Sequence, residues 1–337
     1  MTTLFSVFPS PLFFHTRSAR GFTLTEFMVA MTLGLLLIGG VIHVYVASFS
    51  SWRINDDLAR IQENGRIAIG MLERDLRMAA FRGCAREDEG ALSSALKDTA
   101  KTEWDRGFWV QEKAGSTAGE LELVFRAPRE GALKLSANVE EGKKDLLLEN
   151  SAYSQAIKGG EDGDFFLVGD CGKSELFKGE KAQTTDTVKI ERTDTFINTH
   201  DRNDTGVQVL ALAKTVYAFE YDAARKHWVL MRDGAVLADV AVFRLCYAEE
   251  EAIGGKLASV YGKVDASNAG TINWDRVSSV QINLVLAAEA TAAVDGNIAN
   301  NPVLCDGAPA WAAGSVPQDT KLRKLLSTTV RLRNKSL

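Results

Sequence analysis

The chain has few of the residues that do chemistry. Four histidines and four cysteines are scattered through 337 residues, and no two cysteines stand as CxxC. That argues against a zinc ribbon or a thioredoxin-like site. No GxSxG motif, phosphate-binding loop or internal repeat is present. Lys and Arg total 39 against 44 Asp and Glu, a net charge of −5. The basic surplus usual in nucleic-acid binders is therefore missing. Proline is scarce, with 6 in all and none between Leu12 and Ala127. The hydrophobic share of 46% and charged share of 25% are ordinary for a globular chain and exclude wholesale disorder or a collagen-like repeat. The length suits one large domain or two modest ones.

The most informative absence is of charge at the N-terminus. Residues 1–21 hold Arg17 and Arg20 and no acid, and Phe27–Trp52 contains no Asp, Glu, Lys or Arg. Glu26 is the one charge between them. The 23 residues Phe27–Phe49 reach roughly 34 Å as a helix, enough to cross a bilayer core of about 30 Å. The preceding arginines favour a cytoplasmic N-terminus. A removed secretory signal and a plain one-span anchor are the competing readings. Against the first, Glu26 sits where it only weakens insertion, and Val44–Ser48 lacks a clean small-x-small cleavage pattern.

Beyond the apolar run, Ile54, Leu58, Ile61, Gly65, Ala68, Leu72, Leu76 and Ala79 recur at steps of three and four. That is one apolar stripe on a helix. Asp56 with Arg60 and Glu73 with Arg77 are acid-to-base pairs at i,i+4. Phe22 to Phe81 is expected to form one helical rod of about 90 Å, with Gly34, Gly39 and Gly40 as its weak points.

Gly21-Phe22-Thr23-Leu24-Thr25-Glu26 resembles the class III signal of type IV pilins. The resemblance implies that a prepilin peptidase cuts between Gly21 and Phe22 and that the new N-terminal Phe22 is methylated. It also makes Glu26 the hallmark glutamate at the fifth mature position. Two features depart from the pattern. Thr25 stands where the family usually has an aliphatic residue, and the leader is long and apolar around Leu4, Phe5 and Phe13, which fits a translation start further downstream. The physical logic agrees with the assignment. Gly21 has no side chain to keep a protease from its carbonyl. Cleavage gives Phe22 an α-amine that is largely charged at neutral pH, and a charge in a membrane helix is costly. Glu26, one turn along, offsets that cost by pairing with its own terminus or with the amine of a neighbouring subunit. The alternative is a snorkelling acid with no partner.

Further motifs narrow the resemblance. Gln62-Glu63-Asn64-Gly65-Arg66, Glu73-Arg74-Asp75-Leu76-Arg77-Met78-Ala79, Gly83-Cys84, Trp274-Asp275-Arg276-Val277 with Ser279-Val280, and Thr328-Thr329-Val330-Arg331-Leu332-Arg333-Asn334 are similar to the PilW family of minor pilins. Residues 86–165 carry no such match. The resemblance implies an α+β, type IV pilin-like fold, a long N-terminal helix packed on a C-terminal antiparallel sheet. It also implies a non-enzymatic role in type IV pilus biogenesis, in a priming or tip complex with other minor pilins and a large adhesin. The expected organisation is a leader at 1–21, a membrane and assembly helix at 22–52, its amphipathic continuation at 53–84 and a periplasmic β-rich domain at 85–337. The implied partners are the prepilin peptidase, other minor pilins, the major pilin through the N-terminal helix, a tip adhesin and the inner membrane, with no nucleic acid and no cofactor.

After Cys84 strand patterns dominate. Glu120–Phe125 alternates, and Val280, Ile282, Leu284 and Leu286 alternate with Gln281, Asn283 and Val285, which reads as a half-buried strand. Thr215–Tyr221, Trp228–Met231 and Val236–Tyr247 read as consecutive strands joined by turns. Gly131–Gly163 and Ala292–Ser315 read as exposed loops. Lys321–Leu337 has six Lys or Arg in 17 residues and no acid. An amphipathic final strand explains it better than a nucleic-acid patch, because no aromatic–basic constellation is visible.

In a periplasmic domain the cysteines are disulfide candidates. Cys84, Cys171, Cys246 and Cys305 allow three connectivities, which the sequence does not separate. Cys84–Cys171 with Cys246–Cys305 is the working expectation, and buried thiols are the alternative. Asp201-Arg202-Asn203-Asp204-Thr205-Gly206 resembles half of an EF-hand loop, but Thr205 departs from the pattern and Leu212 stands where the bidentate Glu belongs. A polar turn is expected there, and no metal. His15 lies in the leader, His43 on the apolar helix, and His200 and His227 lack a nucleophile in motif context, so no catalytic residue is assigned. Two other roles remain to be separated from a minor pilin. A pseudopilin of a type II secretion system shares signal, helix and sheet. A membrane-anchored periplasmic binding module would show no cleavage at Gly21.

Overall fold

The computed structural model describes residues 21–81, 92–94, 106–114, 120–128, 133–155, 157, 164–170, 172–183, 187–192, 194–253, 256–265, 267–291, 301–312, 315, 317 and 321–332. The leader before Gly21 lies outside them, as do Cys84, Cys171 and the pairing expected of those two. The chain divides into two units, Met1–Arg53 and Ile54–Leu337. Helix α1, Leu24–Met78, begins in the first and ends in the second.

In the first unit, Thr23 caps α1. The Glu26 amide donates to Thr23 Oγ1 at 3.2 Å, and the Phe27 amide donates to the Thr23 carbonyl at 3.1 Å. Thr-x-x-Glu at a helix start is the capping-box sequence. None of residues 21–53 is buried. The hydroxyls of Thr32 and Ser51 donate back to the carbonyls of Val29 and Ala47, at 2.9 and 3.0 Å. Such back-bonding lets polar side chains sit in an apolar helix.

In the second unit, the expected stripe faces inward. Ile61, Gly65, Ala68, Leu72 and Leu76 are buried, and Ile54 and Leu58 pack partly buried against the same core. The helix stops at Met78, and Ala80 just beyond it has a left-handed φ of 56° and an amide that donates to the Arg126 carbonyl at 3.0 Å. Gly107 (φ 64°) passes so close that a Cβ there would lie 2.4 Å from that of Ala80. Only glycine fits this crossing.

The strands are β1 (Leu92–Ser94), β2 (Phe108–Glu112), β3 (Leu121–Pro128), β4 (Asp145–Glu149), β5 (Asp164–Gly169), β6 (Ser174–Gln183), β7 (Thr187–Arg192), β8 (Gln208–Asp222), β9 (His227–Arg232), β10 (Ala235–Ile253), β11 (Lys256–Val264), β12 (Val277–Thr291) and β13 (Lys321–Arg331). They form a sheet ordered β13-β12-β10-β9-β8-β5-β6-β7-β4, with β3 also pairing β8, β2 pairing β3, and β11 pairing β10. All described pairings are antiparallel except β1 with β6. The architecture is α+β, a long helix on an antiparallel sheet.

Two main cores result. One lies between the α1 stripe and β2, β3, β8, β9, β10, β12 and β13. The other lies among β4–β7 and the start of β8, built around Phe166, Phe177, Phe196, Leu146 and Leu148. Its internal ion pair, Arg192 Nη1 to Glu175 Oε1 at 2.6 Å, is fully buried, with the guanidinium over the rings of Phe177 and Phe196.

Two expectations need correcting. Gly131–Gly163 is not merely an exposed loop. It contributes Leu133, Leu135, Val139 and β4 to the second core. Leu133 and Leu135 flank Lys134, and Leu146-Leu147-Leu148 is a run of only three between Asp145 and Glu149, too short for a periodicity to announce it. Strand β12 is not half-buried either. Asn283 and Val285 are covered as well as the inner residues, because Leu304 and Ala310 from residues 301–312 pack on the outer face.

Candidate functional site

The residues singled out by the sequence for processing and assembly stand at the start of α1. Gly21 and Phe22 precede the helix and are exposed, Phe22 at 80%. They are accessible to processing chemistry. Glu26 sits one turn in, on an exposed segment. The helix it opens is long and apolar enough to cross a membrane. Tyr45, Phe49 and Trp52 stack in series, with ring centroids 6.2 and 6.0 Å apart, and the Arg53 guanidinium lies 4.6 Å over Phe49. Aromatic rings followed by a cation are what a membrane–water boundary favours. This girdle is readable in the sequence but shows its continuity only when the turns of the helix stack it.

The second half of α1 is clamped to the sheet by polar groups whose pairing the sequence did not show. The Tyr217 hydroxyl on β8 donates to Asp75 Oδ2 at 2.7 Å, and Arg232 Nη2 on β9 donates to the same oxygen at 3.2 Å. Burial, reinforced by the Asp75 carboxylate, pushes the Tyr217 phenol far above its ordinary range. Glu73 accepts from the Thr328 hydroxyl on β13 and from Arg77 Nη2 at 3.0 Å. The acids of Glu73-Arg74-Asp75-Leu76-Arg77 are thus docking groups, and their partners lie 142 to 255 residues away. Helical spacing alone could not reveal Tyr217, Arg232 or Thr328.

Gly65 has an equally local reason. A Cβ there would lie 2.0 Å from Leu326 Cδ1 and 2.5 Å from Leu286 Cδ1. The missing side chain lets the helix approach β12 and β13. Trp274 opens β12 from a short 3-10 turn, Trp274–Arg276. It is buried, donates Nε1 to the Ala269 carbonyl at 3.1 Å, and meets Phe108 edge-on at 5.3 Å.

The remaining sites separate cleanly. Cys246 on β10 is disulfide-bonded to Cys305, pinning the segment that covers β12. Asp201 and Asp204 accept from the amides of Asn203 and Gly206, each at 2.9 Å, so the EF-hand-like segment is a pair of exposed Asx turns. His200 is buried with Nδ1 3.3 Å from Asp170 Oδ2. Burial holds the imidazole below its usual value against the pull of Asp170. Burial works to raise Asp170, but the amides of Gly172 and Lys173 and the nearby His200 hold it below the carboxylate range. Among the described residues, the side-chain partner of His200 is Asp170 and those of His227 are the Arg225 carbonyl and Asp239, so no hydrogen bond joins either histidine to the other or to a nucleophile there.

A family profile described as Type IV Pilus-assembly protein W matches residues 197–334, and one described as a prokaryotic N-terminal methylation motif matches residues 16–42. The first covers Tyr217, Arg232, Trp274 and Thr328; the second covers Gly21, Phe22 and Glu26. Residues 43–196 lie outside both. Among solved structures, a type IV-like pilin of Thermus thermophilus is similar at 13% identity and a TM-score of 0.31, over 84% of this chain and 99% of that one. No curated protein matches the chain. The chain is thus similar over residues 197–334 to a type IV pilus-assembly protein and over residues 16–42 to the N-terminal methylation motif, and the helix that begins within the second match is long and apolar enough to cross a membrane.

Proposed function

We propose that the chain is processed after Gly21, is N-methylated at Phe22, and enters a type IV pilus through residues 22–52, serving in a priming or tip complex with other minor pilins. The observation that carries this reading is the contrast within α1. Residues 21–53 bury nothing, whereas the following stripe is fully engaged by its own sheet. An apolar surface of that extent needs an outside partner. The bilayer is one before assembly, and the helices of neighbouring pilins replace it in the fibre. In this reading the leader is cytoplasmic, the span lies in the inner membrane, the sheet is periplasmic, and the Cys246–Cys305 disulfide forms there.

Glu26 pairs with the Phe22 amine of a neighbouring subunit and sets axial register. Its place at the third position of a Thr23-capped helix aims it toward the first turn, where the helix dipole also favours an acid. Glu26→Ala is expected to leave membrane insertion intact and to lower recovery with sheared pili at least tenfold. Unchanged recovery, pilus number and motility would remove the pairing role. Mass spectrometry of the membrane-fraction protein should find N-methylated Phe22 at the mature terminus. An uncut leader, or a terminus near Ser48, would favour the anchored binding module instead. The pilus is preferred to a secretion pseudopilus because the matched profile is that of a pilus-assembly protein.

A further inference from the structure

The connection between β12 and β13 carries a small hairpin of its own. Val303 and Pro309 pair antiparallel, and the amides of Leu304, Gly307 and Ala310 donate to the carbonyls of Ala308, Leu304 and Pro302 at 2.8, 3.0 and 2.9 Å. Gly307 turns it with a φ of 74°, a conformation that glycine adopts freely. The Asn301 side chain closes the open end, accepting from the Trp311 amide at 2.9 Å and donating to the Trp311 carbonyl at 2.7 Å. Residues 301–311 therefore keep their shape through bonds among themselves and can move as one piece.

That piece lies on the sheet but is lightly attached to it. Of residues 301–312, only Leu304 and Ala310 are buried, and they pack with Val285, Ala241, Val242 and Leu325 on the outer face. Asp306 pairs with Arg244 on β10 at 3.2 Å, and the Arg323 guanidinium lies 5.7 Å from the Trp311 centroid. The covalent attachment is Cys305 to Cys246 on β10. Holding a segment in one place costs backbone entropy at every residue, and so short a set of contacts offsets little of it. A disulfide across a sequence separation of 59 removes much of that freedom beforehand. The ladders that join β10, β12 and β13 run beneath the hairpin without including it, and the α1 stripe packs on the inner face. Lifting the hairpin breaks none of those bonds.

The two sulfurs are not equivalent. Cys246 is fully buried in the strand, whereas Cys305 is half-buried on the hairpin. A thiol arriving from solvent meets Cys305 first. Exchange begins when a thiolate attacks one sulfur and expels the other, so access selects the sulfur attacked.

We propose that the Cys246–Cys305 bond is a redox latch, opened and closed through Cys305 by a dithiol–disulfide partner, and that it decides whether the hairpin covers the outer face of β12. In opening, a partner thiolate bonds to Cys305 Sγ, the bond to Cys246 breaks, and its electron pair leaves on Cys246 Sγ, which takes a proton. The partner's second thiolate then displaces Cys305, which leaves as a thiolate and takes a proton in turn. The chain gains two thiols, and the partner dithiol becomes a disulfide. Closing is the reverse, with the partner's disulfide as oxidant. With the latch open, Val285, Val242 and Leu325 are uncovered while the helix-clamped sheet stays folded. The latch stands whether or not the chain enters a pilus.

The test uses the full oxidised chain in detergent. Brief exposure to reduced glutathione, followed by acid quenching and peptide mass spectrometry, should place the mixed disulfide on Cys305 at least tenfold more often than on Cys246. Reductants also act on Cys84 and Cys171, so the open form is made by substitution. Cys305→Ala breaks the latch at its half-buried end and leaves the core residue Cys246 in place. Thermolysin should cut within 301–312 at least tenfold faster in Cys305→Ala than in the oxidised wild type, with the far-ultraviolet circular dichroism unchanged. Cys246→Ala should give the same fast cleavage. Adducts chiefly on Cys246, or cleavage as slow in both variants as in the wild type, would overturn the proposal. So would loss of the sheet's circular dichroism in both variants, since the disulfide would then hold the whole sheet rather than the hairpin.

Discussion

The two halves of α1 obey one set of backbone rules under opposite surroundings. From Leu24 to Arg53 the helix buries no residue, and from Ile54 onward it hides a strict stripe. The first half is apolar all round and the second apolar on one face. A helix apolar all round requires an apolar medium, whereas a stripe requires only one partner surface. The stripe finds that surface within its own chain, while the first half must look outside it.

The division predicts the largest mutational contrast. Leu72 is fully buried and Leu36 is 73% exposed. Leu72→Ala should lower the stability of the sheet domain by about 3 kcal/mol, within the usual range for buried leucine truncation. Leu36→Ala should leave it within about 0.5 kcal/mol, as expected of a change outside the core. Urea denaturation of the two full-chain variants in detergent, followed by tryptophan fluorescence, checks both. A comparable loss from Leu36→Ala would show that the first half contributes to domain stability and would break the comparison.

The clamp gives a smaller effect with a distinct pH signature. Tyr217 keeps its proton in the folded state well beyond the pH at which an unfolded tyrosine, with pKa of about 10, releases it. The folded state then binds more protons than the unfolded one, so stability must fall as pH rises above about 10. The slope from this one group approaches about 1.4 kcal/mol per pH unit. Tyr247, also raised by burial and by the Glu249 charge, adds to the same trend. Tyr217→Phe should flatten the alkaline decline measured by urea midpoints between pH 9 and 11. Asp75→Asn should cost about 1.5–3 kcal/mol at neutral pH, the range for hydrogen bonds to a charged group.

What the sequence could disclose follows from how far apart the relevant residues stand. The apolar span, the stripe, the strands β3, β8, β9, β10 and β12 and the N-terminal methylation motif are local patterns, each written in fewer than thirty consecutive residues. The clamp is non-local. Asp75 looks like a helix-surface acid until Tyr217 and Arg232 arrive from two strands. The second core was hidden for a related reason. Leu133 and Leu135 flank Lys134, Leu146-Leu147-Leu148 is a run of only three, and they become a surface only when β4 pairs with β7.

Glycine separates the two kinds of helix surface most finely, because the same substitution should change sign along one element. Gly65 faces Leu326 and Leu286 at distances no Cβ tolerates, while an added Cβ at Gly70 would meet nothing within 4 Å. Gly→Ala in a helix interior gains up to about 1 kcal/mol from backbone entropy and propensity. At Gly70 that gain stands alone, so Gly70→Ala should be stabilising. At Gly65 it is opposed by overpacking, which typically costs about 1–3 kcal/mol. The two contacts come from leucines on adjacent strands, so relieving both means moving two side chains within a filled core or lifting the helix. The overpacking cost should therefore prevail, making Gly65→Ala destabilising by about 1 kcal/mol as the balance of those opposing terms. Urea midpoints of the two variants, measured side by side, decide the matter. A Gly65→Ala chain as stable as Gly70→Ala would mean that Leu326 and Leu286 yield freely and that the close approach of helix and sheet is not what requires glycine in Gln62-Glu63-Asn64-Gly65-Arg66.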